Sequence, residues 1–130
     1  MISKTPNNIQ VVEWQETTAK HDTEKAFYPI YQPGVYLYTT MDRRPLYVGR
    51  AENLEDRFDE HLSDNESNKD LKYHIHNQPL RLYYAIIPEE NFRAGIEKFL
   101  FYYLVPAFNK NTPDASQEIA VNLPEGVNPR

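Results

Sequence analysis

Two tyrosines in short glycine-bearing motifs, Gly34-Val35-Tyr36 and Tyr47-Val48-Gly49, are followed by Arg57 and His61 at helical spacing and, further on, by Glu97. Two phenols, a guanidinium and an imidazole within reach of one another, with a carboxylate able to hold a metal, suit the cutting of a phosphodiester. A planar arginine fork matches two phosphate oxygens better than a lysine ammonium does. A divalent metal polarises a phosphoryl oxygen and stabilises a leaving oxyanion. A phenol, with a reference pKa of about 10, becomes a base near neutrality only beside positive charge, which Arg50, Arg57 and a metal would supply. One carboxylate with several waters is an ordinary set for magnesium.

These groups need a scaffold, and the pattern around them supplies one. Gly34 to Thr40 is rich in tyrosine and β-branched residues, Met41 to Pro45 reads as a turn, and Leu46-Tyr47-Val48 continues as a second strand of a β-hairpin. Asn53 can cap a helix whose buried stripe is Leu54, Phe58 and Leu62, ended by the polar run 63–68; Arg57 and His61 lie beside that stripe. Leu80 to Ile87 is the next strand. Asn91 can cap a second helix with an apolar face of Phe92, Ile96, Phe99, Leu100, Tyr103 and Leu104, stopped before Pro106, with Glu97 beside that face. The expected fold is α/β, a small mixed or antiparallel three-stranded sheet with flanking helices in the order β-β-α-β-α.

Length and composition bound the rest. A chain of 130 residues fits one domain with appendages. We divide it into an N-terminal extension (1–32), a domain that carries these groups (33–110) and an irregular tail (111–130) that either wraps the domain or moves. Prolines keep the segment 27–33 extended. The absence of cysteine rules out disulfides, thiolate metal sites and a cysteine nucleophile. Without a signal-like N-terminus or an apolar run near the roughly 18 residues of a membrane span, the expected location is cytoplasmic, with no membrane partner. A net charge of -5 opposes broad affinity for nucleic acid, so binding would depend on the local strip Arg43, Arg44, Arg50 and Arg57.

From Pro33 to Lys110 the chain resembles a GIY-YIG nuclease domain. The resemblance rests on Gly34-Val35-Tyr36, on Tyr47-Val48-Gly49, on the segment Arg50 to Arg57, on His61 one turn later, on Glu97 and on Pro106-Ala107-Phe108-Asn109. Each match alone would recur by chance; the ordered set would not. It implies an endonuclease hydrolysing DNA, including branched or structured DNA, with magnesium, for which manganese would substitute, held by Glu97. Tyr47 would be the base, Tyr36 and His61 would assist it, Arg57 and Arg50 would bind the substrate phosphate, and Asn109 would steady the site. Target choice would then rest with DNA shape, a protein partner or a homodimer. The alternative is an inactive module of the same fold that binds nucleic acid or protein.

Taken singly, the same residues have plainer readings. Either tyrosine alone would be a packed strand residue, Arg57 with His61 a solvated helix face, and Glu97 a surface glutamate. His74 and His76 read as half-exposed polar positions rather than zinc ligands, and the aromatic run Tyr83, Tyr84, Phe99, Phe101, Tyr102 and Tyr103 as core. Glu52, Glu55, Asp56, Asp59, Glu60 and Asp64 make the Arg57 helix an acidic neighbour for a phosphate, tolerable only if they point away.

Overall fold

The hairpin expected around the two motifs forms one side of an antiparallel sheet in the computed structural model, which describes residues 9–18 and 31–129. In chain order the elements are β1 (Gln15–Thr18), β2 (Gly34–Thr40), β3 (Pro45–Ala51), α1 (Leu54–Leu62), α2 (Lys69–Asn77), β4 (Leu80–Ile86) and α3 (Glu90–Leu104). The strands lie in the order β1-β4-β2-β3. The sheet is therefore antiparallel and four-stranded rather than three-stranded. Its extra edge strand, β1, is polar and pairs Gln15 with Tyr84 and Glu16 with Tyr83. The segment 27–30, expected to be extended, lies outside the described residues.

Alternation along the central strand β2 feeds two cores. Val35 and Leu37 face α3, where Ile96, Phe99, Leu100 and Leu104 pack with Tyr83 and Ala85. Tyr36 and Tyr38 face the other way, onto Leu54 and Phe58 of α1 and Leu71 and Ile75 of α2. Asn53 caps α1 as expected, its side chain accepting from Asp56 N. In α3 the cap is Glu89 rather than Asn91, and Phe92 and Tyr103 stay about half exposed outside the buried face. Of the aromatic run, Tyr83 and Phe99 are core, whereas Tyr102 is exposed.

The helix α2 was not expected from the sequence, and it holds His74 and His76. Their rings bond to the carbonyls of Asp70 and Leu62. The tail wraps the domain: Val121 and Val127 enter the α3-side core. Asn122 exchanges hydrogen bonds with the backbone of Val12, and Trp14 Nε1 donates to Asn122 O at 2.7 Å. No helix among the described residues is long and apolar enough to cross a membrane.

Candidate active site

Tyr36 sits on the α1 side of β2, opposite Gly49 of β3. A Cβ at Gly49 would lie 2.4 Å from the Tyr36 ring and hydroxyl. Glycine at this motif position thus lets the Tyr36 phenol cross the neighbouring strand. Tyr47, two residues earlier on β3, has its ring 6.3 Å from that of Tyr36 and 5.4 Å from that of His61.

Helix α1 brings Arg57 and His61 onto these phenols. The Tyr36 hydroxyl is 2.7 Å from His61 Nε2, and Arg57 Nε donates to the Tyr36 oxygen at 3.3 Å. Tyr36 and His61 are fully buried, while Tyr47 is only partly so. Burial, reinforced by Tyr47, pushes the Tyr36 phenol well above its ordinary value. Burial also raises Tyr47, with Arg57 working in the opposite sense. Arg57 acts on Tyr47 as the sequence suggests, but desolvation outweighs it. His61 is held below its ordinary value, first by burial and then by Arg57, with Glu66 opposing. The resting site therefore has neutral phenols and a neutral imidazole near pH 7.

Asn109 works through the backbone. Its amide accepts from Val48 N at 2.9 Å and donates to Val48 O at 2.8 Å, while Phe108 N donates to Leu46 O at 2.7 Å. These bonds occupy the free edge of β3 on both sides of Tyr47, as an additional strand would. Asn109→Ala is expected to lower stability by about 2 kcal/mol, the worth of two partly buried hydrogen bonds whose backbone partners, Val48 N and Val48 O, both lose the amide; urea denaturation measures it.

Glu97 of α3 is 14% exposed, and its Oε1 accepts from Arg50 Nη1 at 2.6 Å. Burial raises its carboxyl above the usual range in spite of Arg50. Further positive charge at this carboxylate would therefore be stabilising, and a divalent cation would fit. Among the described residues no three His, Asp or Glu side chains converge on one point, so water and substrate would complete the coordination, as magnesium commonly permits.

The arginine strip is less free than its sequence suggests. Arg50 faces Glu97, Glu90 at 3.7 Å and Asp114 at 3.5 Å; Arg44 faces Asp42 at 3.3 Å. On α1 the acidic side chains do not all point away, because Glu60 takes Arg57 Nη1 at 2.7 Å. Glu60 is 62% exposed, however, and such pairs contribute at most about 1 kcal/mol, so an arriving phosphate can displace it.

One participant escaped sequence reasoning. Glu66, in the turn between α1 and α2, lies 2.6 Å from His61 Nδ1. Its only signal was a glutamate five residues beyond a candidate histidine, within a run that reads as a helix stop.

Comparison with known proteins gives this arrangement its class. The UvrC-like GIY-YIG domain model matches residues 32–110, and the chain belongs to that family of nuclease domains. UvrABC system protein C of Petrotoga mobilis is 29% identical over 79 residues, covering 60% of this chain and 14% of the relative. The chain thus spans a small part of that relative's length. The magnesium-bound GIY-YIG N-terminal endonuclease domain of UvrC from Thermotoga maritima superposes with a TM-score of 0.56 at 22% identity, over 67% of this chain and 93% of the other. An asparagine-to-alanine mutant of that domain, bound to its catalytic divalent cation, gives 0.56 at 20% identity over 68% and 93%. At these identities the likeness speaks for the fold.

Proposed function

We propose that the chain is a metal-dependent endonuclease hydrolysing DNA phosphodiester bonds, with every catalytic group inside residues 33–110. The observation that carries this reading is the setting of Tyr47. One partly exposed phenol lies within electrostatic reach of both Arg57 and Glu97, the three functions that phosphodiester hydrolysis needs. Arg57 holds the scissile phosphate after Glu60 gives way. Tyr47 accepts the proton of the attacking water, Tyr36 and His61 fix Arg57 and Tyr47 from behind, and Asn109 holds the strand that carries Tyr47. Glu97 binds magnesium, or manganese in its place; when bound, the cation polarises the phosphoryl oxygen and stabilises the leaving oxyanion. Arg50 must loosen from its carboxylates to contribute to phosphate binding.

Because burial raises Tyr47, only a small fraction of this phenol is ionised near neutrality. That fraction grows tenfold per pH unit until the pH reaches its pKa, so cleavage is expected to climb with unit slope above pH 7. His61, held low, stays neutral over that range and adds no inflection. Tyr47→Phe should lose the slope together with roughly 10²- to 10⁴-fold in rate, the usual share of a general base. Single-turnover cleavage against pH measures both.

The commitment of Arg50 and Arg57 to carboxylates favours a second reading, a binding module that does not cut. Supercoiled plasmid, branched DNA and single-stranded oligonucleotides, each with magnesium and with chelator, decide between them. Metal-dependent cutting supports the nuclease; well-folded protein that cuts none of them moves the reading to a binder, or to an enzyme that depends on a protein partner or a second copy.

A further inference from the structure

We propose that Glu66 is a positioning residue that sets the direction of a four-member hydrogen-bond chain, Arg57 to Tyr36 to His61 to Glu66, and so aims the phosphate-binding guanidinium. The activity part of this inference rests on the function proposed above; the geometric part does not.

The chain has only one consistent polarity. Arg57 Nε can only donate, so the Tyr36 oxygen accepts from it. Tyr36 can then satisfy His61 Nε2 only by donating its own proton, which requires Nε2 to be the unprotonated ring nitrogen. The ring proton must then be on Nδ1, where the Glu66 carboxylate accepts it at 2.6 Å. In the other tautomer, His61 Nε2 and Arg57 Nε would both point protons at one phenol oxygen. The Tyr36 hydrogen would then have no acceptor among these groups, and Nδ1 would face a carboxylate without a proton between them. Each mismatch leaves a buried polar group unpaired, which costs more than a hydrogen bond made in water returns.

Glu66 is built into its place. It is 7% exposed and His61 is fully buried. Its second oxygen accepts from Asn68 N at 2.7 Å, while the Asn68 side chain caps α2 through Leu71 N and donates to Phe108 O at 2.7 Å. Both carboxylate oxygens are thus acceptors. Glutamine cannot reproduce this, since an amide offers an acceptor at one position and a donor at the other. Glu66→Gln must either lose the Asn68 bond or present N–H to Nδ1 and drive the imidazole into its other tautomer. The remaining groups around the ring are Tyr38, Tyr47 and, electrostatically, Arg57 and Glu60. Burial and Arg57 both favour the neutral ring, the form in which a tautomer choice exists.

Two-bond ¹H–¹⁵N correlation spectra of the histidine rings at pH 8 report the tautomer directly. The natural chain is expected to carry the His61 proton on Nδ1, and Glu66→Gln to shift the ring toward Nε2–H. Asn68→Ala, which loses the helix cap but keeps the carboxylate, should leave the tautomer unchanged. Plasmid cleavage by Glu66→Gln should fall about 10- to 100-fold, as when other ring-orienting carboxylates are removed, and Glu66→Asp should recover part of it. A natural chain with the proton on Nε2 would overturn the proposal without need of any variant. So would a Glu66→Gln protein that keeps the Nδ1–H ring and cuts normally, or an Asn68→Ala protein that cuts as poorly as Glu66→Gln. A natural chain with the Nδ1–H ring that cleaves no DNA would sink the nuclease reading and leave the hydrogen-bond chain standing.

Discussion

Glu97→Ala is expected to abolish metal-dependent cleavage while leaving the fold intact. A divalent cation contributes several kcal/mol of charge stabilisation in the transition state, and each 1.36 kcal/mol is tenfold in rate, so the loss should be about 10³-fold or more. Folding should hardly notice. The raised Glu97 carboxyl means that its charged form is disfavoured in the folded protein, so removing it relieves a penalty above its ordinary range. Arg50 loses its 2.6 Å partner but keeps Glu90 and Asp114. The opposing effects should hold the melting temperature within about 4 °C, roughly 1 kcal/mol for a chain of this size. Cleavage assays beside calorimetry read both halves, and undiminished cutting would remove Glu97 from the metal site.

Arg57→Ala is expected to lose about 10³-fold on every DNA substrate alike. One preorganised donor to a developing charge is worth about 2.7–4 kcal/mol, and phosphate contacts carry no sequence information. A lysine should restore little. Arg57 uses Nε on Tyr36 and Nη1 on Glu60, and an ammonium cannot span both points. Rates on several unrelated sequences test this, since a deficit confined to one sequence would make Arg57 a reader of bases.

The strongly periodic elements were legible in the sequence, and the polar ones were not. Leu54 and Phe58 announce α1, and the tyrosine-rich β2 announces itself by composition. Helix α2 offers only Leu71 and Ile75 as buried positions, set among lysine and histidine, and its cap, Asn68, reads equally well as the end of the previous helix. Strand β1 is Gln-Glu-Thr-Thr, with no alternation to mark it; it exists because β4 offers an unpaired edge. Asn91 looked like the cap of α3 because asparagine is a better cap than glutamate, yet Glu89 takes that place, its carboxylate oxygen accepting from the Phe92 N–H. The separate site residues were visible as an ordered set. Their coupling was not, because the contact of Glu66 with His61 depends on how the turn 63–68 folds back, and no spacing rule expresses that.

The tail carries a consequence for where the molecule can be cut. The family match ends at residue 110, but Val121 and Val127 fill the core beneath α3, Ile119 N bonds to Gly95 O, and Ala120 O receives Gln10 N. A fragment trimmed to the matched segment would lay bare Ile96, Phe99 and Leu100, the side of the helix whose adjoining position is Glu97. The stretch recognisable by ancestry is therefore shorter than the stretch that folds. The remainder acts as a detachable-looking strap that holds the helix carrying Glu97 against the sheet.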